Sequence, residues 1–128
     1  MLRADIVKKF WNTMHQQQWE HLHNYFNSKA TIEWPNTNEI FTTVDSFVRA
    51  NSEYPGDWSI RIDRIEEFGN LVVSVVCVSL NESKISFYAT SFFEFNNQTI
   101  MKLTEYWGDV GSAPEWRKKL GVSELLNK

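Results

Sequence analysis

The spacing of apolar residues divides the chain into a mainly helical first part and a β-stranded second part. Over residues 3 to 19, apolar side chains recur at the i, i+3, i+4 and i+7 spacing of a helix with one buried face. A second, short helix is expected over residues 19 to 26 and a third over residues 42 to 54. Between them, residues 29 to 35 are typical of a short strand, because the proline at its end cannot donate to a sheet.

From residue 58 onward the period of the apolar pattern changes from 3.6 to 2. The alternation predicts four strands, at residues 58 to 67, 71 to 80, 84 to 95 and 99 to 109. Short turns containing Gly, Asn and Ser separate them, so we expect an antiparallel meander. With a short C-terminal helix, the order ααβαββββα indicates an α+β protein in which three helices from the N-terminal half cover one face of the sheet.

Two helix starts carry capping signatures. Thr42 with Asp45 resembles a capping box before the third helix. Ser112 with Glu115 resembles a second box before the C-terminal helix, with a proline in the first turn. We expect Trp116, in that last helix, to close the domain.

Length, composition and charge narrow the class of protein. The 128 residues are 42% hydrophobic, enough for one domain with a core, which we expect to span 1–128. The net charge is -3 and no basic cluster exceeds "RKK" at 117 to 119, which argues against nucleic acid as a partner. No segment approaches the ~18 apolar residues of a membrane span, and the lone Cys77 lies in an apolar run. These features favour a soluble, cytoplasmic protein with a buried thiol.

Three short stretches carry a resemblance to a known family. These are "WP" at 34 and 35, "YPGDW" at 54 to 58 and, above all, "EYWGDVGSAPEWR" at 105 to 117. Together with the element order, they resemble SnoaL-like members of the nuclear transport factor 2-like superfamily over essentially the whole chain. The resemblance implies a cone-shaped α+β barrel, in which helices and a strongly curved antiparallel sheet enclose an apolar cavity. Its members include ketosteroid isomerase, scytalone dehydratase, limonene epoxide hydrolase and polyketide cyclases, and also non-catalytic binding and dimerisation modules.

The last strand carries the main candidate for catalysis, Glu105. Alternation assigns an inward face to Met101, Leu103, Glu105, Trp107 and Asp109. A carboxylate on an apolar wall must be paired, hydrated or shifted upward in pKa. Three alternatives remain open: Glu105 pairs with an arginine such as Arg61 or Arg117, it faces water on a reversed sheet phase, or it lines a cavity as an acid or base.

The sequence departs from two enzymes of the superfamily. The resemblance would place the base of ketosteroid isomerase, an aspartate before a proline, where "EWPN" has Trp34. The Asp-Arg-Asp set of limonene epoxide hydrolase is not apparent either. Polyketide cyclase members use one acid/base carboxylate on the late strands, and Glu105 best matches that role.

Aromatic and polar side chains at the expected cavity are candidate ligand contacts. They could form a flat apolar pocket for a ring-bearing molecule, although each one alone could equally fill the core. The same holds for the serines on the late strands, Ser79 and Ser91, whose hydroxyls could instead be satisfied within the sheet. The predicted ligand-binding residues are Trp11, Met14, Trp34, Tyr54, Trp58, Ser91, Trp107 and Asp109.

No cofactor or metal is expected. On one helix His15, His21 and His23 would not converge, and the glycines form no phosphate-binding loop.

Two hypotheses follow for function. One is a cofactor-free isomerase, cyclase or dehydratase that uses Glu105 on an apolar, cyclic substrate. The other is a non-catalytic module that binds an apolar ligand or dimerises. A homodimer fits both, through an outer sheet face that carries Tyr88, Phe92 and Tyr106.

Overall fold

The computed structural model describes residues 1–127 and contains three α-helices and six strands. The helices are α1 (Arg3–His15), α2 (Val44–Ser52) and α3 (Glu115–Leu120). The strands are β1 (Phe26–Trp34), β2 (Glu39–Phe41), β3 (Trp58–Phe68), β4 (Leu71–Leu80), β5 (Ser86–Asn96) and β6 (Thr99–Asp109). Two short 3-10 helices, Trp19–Tyr25 and Pro35–Thr37, precede and follow β1. No helix among residues 1–127 is both long and apolar enough to span a membrane.

All six strands form one curved, unclosed sheet in the order β2-β1-β6-β5-β4-β3. Strands β3 to β6 are consecutive antiparallel neighbours, which confirms the predicted meander. Strand β1 runs parallel to β6, a pairing that the sequence pattern did not indicate. The α+β class and the cone-shaped arrangement are therefore as expected, with one parallel pairing added to the antiparallel sheet.

The first third of the chain differs in detail from its predicted elements. Helix α1 ends four residues early because Gln17 adopts a left-handed backbone conformation, with φ of 57°. The second predicted helix is a 3-10 helix. Strand β2 is not among the predicted strands, because a segment of only three residues shows no alternation.

At the start of β6 the predicted inward and outward faces are wrong, because a β-bulge interrupts the alternation. The register between β5 and β6 shifts between Glu94 and Phe95, so the alternation is interrupted near Met101. Ile100, assigned outward from the pattern, is fully buried, and Met101 is only partly buried. From Leu103 onward the predicted phase holds, because Leu103 and Glu105 are both buried.

Both predicted capping boxes are wrong. Helix α2 begins one residue later than expected, and its cap is Thr43, whose hydroxyl accepts a hydrogen bond from the Ser46 amide at 3.2 Å. Helix α3 has Pro114 as its N-cap and no side-chain cap. None of its residues is buried, and Trp116 is 64% exposed, so this helix does not close the domain.

The core lies between α1 and the concave face of the sheet. Phe10 of α1 is fully buried and packs edge-to-face on Phe26 and Phe93, with ring centroids 5.8 and 5.4 Å away. Phe47 of α2 is also fully buried and contacts Phe26. Cys77 is buried as predicted. This packing fixes α1 against the sheet and holds the C-terminal half of α1 at the edge of a cavity.

Candidate functional site

A cavity of about 420 Å³ lies where the C-terminal ends of α1, α2, β1 and β6 meet. Five of the six tryptophans of the chain line it: Trp11, Trp19, Trp34, Trp58 and Trp107. We call it the tryptophan cavity. Its volume lies within the range of pockets that hold small organic molecules, roughly 300 to 1,000 Å³.

Glu105 is part of the cavity wall and is only 7% exposed. Its Oε1 accepts a hydrogen bond from the indole Nε1 of Trp34 at 3.0 Å, and its Oε2 accepts one from the Ser91 hydroxyl at 2.8 Å. The arginine-paired alternative is wrong, because Arg61 donates to Asp63 at 2.8 Å and the Arg117 guanidinium lies over its neighbour Trp116. The water-facing alternative is also wrong, because the carboxyl lies on the concave side.

Burial raises the pKa of the Glu105 carboxyl above its ordinary value of 4.5, because an ionised carboxylate loses its hydration there. The hydrogen bonds from Ser91 and Trp34 act in the opposite direction, because both donors favour the ionised form. Burial is the larger effect. The carboxyl is thus biased toward the neutral acid, while two donors remain in place to stabilise the anion.

Trp34 is held in a fixed orientation by other aromatic rings. Its ring packs edge-to-face on Phe41, with centroids 4.6 Å apart, and on Trp107, with centroids 5.2 Å apart and an interplanar angle of 89°. Phe47 contacts it from α2 at 6.2 Å. Such edge-to-face contacts restrict the rotamer of the indole, so its N–H stays aimed at Glu105.

Asn36 fixes the position of Trp107, a role that the sequence pattern does not predict. Its side-chain amide donates to the Trp107 carbonyl at 2.8 Å, and its Oδ1 accepts from the Trp107 amide at 3.0 Å. The short helix Pro35–Thr37 is thereby tied to β6. The only signal in the sequence is an asparagine directly after "WP", which does not reveal a partner so far along the chain.

The turn before β3 places two further aromatic residues on the wall. Tyr54 stacks on Trp58 with centroids 5.0 Å apart and an interplanar angle of 12°. The Trp58 indole N–H donates to the Pro55 carbonyl at 2.8 Å. Gly56 is required between them: its φ is 107°, and a Cβ there would lie 2.6 Å from Leu80 Cδ1.

The structure places all but one of the predicted ligand contacts on the cavity wall. Ser91 is the exception, since it lies behind the wall, fully buried and bonded to Glu105. Ser79, the other candidate serine, lies near Cys77 on the opposite side of the sheet. The predicted residues on the wall are Trp11, Met14, Trp34, Tyr54, Trp58, Glu105, Trp107 and Asp109.

Several wall residues come from segments where the sequence showed no functional pattern. Trp19 lies in the 3-10 helix after α1, and Glu39 lies in the short strand β2. Gln17, Thr37 and Asn51 add polar groups. The alternation predicts no strand at residues 39 to 41, because so short a segment shows no period, and it therefore does not place Glu39 on the wall.

The three histidines have separate partners. His15 Nδ1 accepts from the Ile60 amide at 3.0 Å, His23 bonds to Asp45, and His21 lies 3.7 Å from Glu20. Within residues 1–127, no three His, Cys, Asp or Glu side chains are grouped as metal ligands. The arrangement offers instead an apolar cavity with one buried carboxyl, which can bind a small molecule and exchange a proton with it.

Solved structures of other proteins share this architecture. A candidate ketosteroid isomerase from Kribbella flavida superposes with a TM-score of 0.83 and 24% identity, over 96% of this chain and 89% of that one. A nuclear transport factor 2-like protein of unknown function from Burkholderia xenovorans gives 0.80 and 22%, over 96% and 94%. A candidate SnoaL-like polyketide cyclase from Shewanella denitrificans gives 0.70 and 12%, over 83% and 90%.

Sequence comparison alone finds no such similarity: no protein-family model and no curated protein matches the chain. The likeness therefore concerns the backbone, and it extends over nearly the whole chain for the first two structures. The protein has the cone-shaped fold of the nuclear transport factor 2-like superfamily, the fold shared by ketosteroid isomerase-like and SnoaL-like structures.

Proposed function

We propose that the protein binds a small, flat, largely apolar molecule in the tryptophan cavity and that Glu105 exchanges a proton with it, without a cofactor. The observation that carries this proposal is the Glu105 carboxyl itself. It lies buried on the wall of an indole-lined cavity, hydrogen-bonded to Ser91 and Trp34, and no cationic side chain pairs with it in the described chain.

The wall supports binding through ring faces. Trp34 and Trp107 meet nearly at right angles, and Tyr54 and Trp58 form a stacked pair. Aromatic side chains bury large apolar areas, and a ring-bearing ligand can add offset or edge contacts with them. A ligand with an aliphatic or aromatic ring therefore suits this cavity better than an extended polar chain.

Glu105 has the properties of a general acid and base. In the neutral form its proton can pass to a basic atom of the ligand, and the resulting carboxylate keeps the donors Ser91 and Trp34. In the ionised form the same carboxyl can take a proton from a carbon or hydroxyl group, and burial favours the neutral acid that results. Removal of a proton at one atom and its return at another amounts to isomerisation. If the carbanion formed by proton removal instead expels a hydroxyl group from the neighbouring carbon, a double bond forms and Glu105 gives the proton to the hydroxyl, which leaves as water. If the carbanion attacks a carbonyl carbon of the same molecule, a ring closes and the carbonyl oxygen takes the proton.

A ligand screen on the wild type and on Glu105→Gln tests the proposal. We expect some ring-bearing compounds to raise the melting temperature of both proteins, because a ligand at 100 times its Kd stabilises the folded state by about 2.7 kcal/mol. Among the compounds that bind, we expect proton exchange or turnover to fall by roughly 10² to 10⁴ in Glu105→Gln. Binding without turnover in either protein would favour a non-catalytic binder, and the absence of any stabilising compound would contradict the proposal.

A second proposal concerns the outer face of the sheet, where we infer a homodimer contact. Tyr88 and Tyr106 are 41% and 47% exposed there, and Tyr106 packs edge-to-face on Phe92. Exposed aromatic groups on a sheet face are typical of an interface.

We expect Tyr106→Lys to shift the protein from dimer to monomer in sedimentation velocity, because a charge there would be buried between two subunits. Leu120→Lys, on the exposed face of α3, is the control and should leave the assembly unchanged. A wild type that sediments as a monomer at high concentration would contradict the dimer without affecting the ligand proposal.

A further inference from the structure

We propose that the ligand of the tryptophan cavity carries a positive charge, as a protonated amine or a quaternary ammonium group held against indole faces near Glu39 and Asp109. This inference rests on the proposed ligand binding and specifies the class of ligand. It follows from three observations: the sign of the charges on the wall, the position of the exposed carboxylates beside the indoles, and the wall donors that already have partners within the protein.

The charges on the wall have one sign. Three side chains that line the cavity carry a carboxyl group: Glu39, Glu105 and Asp109. Among the described residues that line it, none is a lysine, arginine or histidine. An anionic ligand would meet only like charges here, whereas a cation would be attracted by all of the ionised carboxylates.

The exposed carboxylates lie beside the central pair of indoles. Glu39 of β2 is the register partner of Trp34 on β1. Asp109 lies two residues beyond Trp107 on β6, and therefore on the same face of the strand. The rings of Trp34 and Trp107 form two perpendicular walls with centroids 5.2 Å apart. Indole faces attract cations through the ring quadrupole, and aromatic groups combined with carboxylates are typical of sites for organic ammonium ions.

Several hydrogen-bond donors of the wall already have partners within the protein. Three of the five indole N–H groups are used within the protein, by Ser74, Glu105 and the Pro55 carbonyl. The side chains of Asn51 and Ser52 likewise donate to carbonyls of their own helix. The indole N–H groups of Trp19 and Trp107 have no acceptor among the described residues, so a ligand can also meet donors there. The charged groups of the wall, however, are all carboxyls, and together with the ring faces they suit a group that carries positive charge.

A pair of probes with the same shape and different charge tests the inference. (4-Hydroxyphenyl)trimethylammonium and 4-tert-butylphenol differ in one central atom, nitrogen in the cation and carbon in the neutral compound. We expect titration calorimetry of the wild type at low salt to give a Kd for the cation that is lower by about tenfold or more. If the neutral probe binds equally well or better, the inference is overturned while the proposed ligand binding stands. If neither probe binds, the inference is overturned, whereas the proposed ligand binding is decided by the compound screen described above.

A double substitution locates the source of the charge preference. Glu39→Gln with Asp109→Asn keeps the size of both side chains and removes two charges. We expect it to weaken binding of the cationic probe by about tenfold and to leave the neutral probe within about threefold of the wild type. Glu94→Gln, an exposed acid on the outer face of the sheet, is the control and should change neither Kd. A double variant that binds the cation as tightly as the wild type would overturn the inference.

Discussion

Replacing Phe10 with alanine is expected to lower the free energy of unfolding by about 3–5 kcal/mol, the range measured when a buried phenylalanine is truncated. The ring is fully buried, and its nearest aromatic neighbours are Trp11 at 4.9 Å and Phe93 at 5.4 Å. Truncation would leave a void between α1 and the sheet that these rings fill only in part. Urea unfolding followed by tryptophan fluorescence measures the loss.

The control for this experiment is Phe68→Ala. Phe68 ends β3 and is 60% exposed, so the same change of side chain should alter the stability by no more than about 0.5 kcal/mol. Ligand binding by the Phe10→Ala variant is a second measurement. Trp11 follows Phe10 on the helix and lines the cavity wall, so a shift of α1 would also change the cavity. Equal losses in the two variants would mean that α1 does not pack on the sheet as described.

Glu105→Gln is expected to become more stable relative to the wild type as the pH rises. The pKa of the Glu105 carboxyl is raised in the folded protein, mainly by burial, from its ordinary value of 4.5. Between that value and the folded pKa, the unfolded chain is ionised while the folded chain still holds the proton. The folded state then binds more protons, so the stability of the wild type falls as the pH rises through this window. The loss is about 1.4 kcal/mol per pH unit.

Glutamine has no such proton, and it can keep a hydrogen bond to each partner of the carboxyl. Its oxygen can accept from the Trp34 indole, and its amide can donate to the Ser91 hydroxyl oxygen. Urea unfolding at a series of pH values from about 4 to 8 gives the difference between the two proteins. Glu94→Gln should differ from the wild type by no more than about 0.5 kcal/mol at each pH. Parallel curves for Glu105→Gln and the wild type would contradict a raised pKa at Glu105.

The two experiments separate the packing of the cone from the chemistry of its cavity. Phe10 contributes to stability without contact with the cavity, whereas Glu105 lines it and is expected to be replaceable without loss of fold. A Glu105→Gln protein that is folded, binds the cationic probe and lacks turnover would assign proton transfer to this carboxyl. A folded variant that keeps its turnover would remove Glu105 from the mechanism.

Local pattern alone was enough to predict the meander and which residues of its last strand share a face, whereas the pattern left open which of the two faces is buried. The alternation of side chains between the faces of a strand is a property of the backbone, so Leu103, Glu105 and Trp107 could be assigned to one face without a partner strand. The same reasoning predicted α1, since its apolar residues repeat with the helical period. It failed at Ile100, because a bulge depends on the register with the neighbouring strand and leaves no mark on the local pattern.

The sequence by itself determined helix α1, the meander and the presence of a carboxyl among aromatic residues, because these follow from periods of a few residues. Only the tertiary structure decided what that carboxyl meets. Trp34 and Glu105 are 71 positions apart and are joined because β1 lies parallel to β6. The same pairing gathers Glu39 and Asp109 near the indoles. Contacts of this kind depend on how distant segments pack together, and no local pattern of residues contains that information.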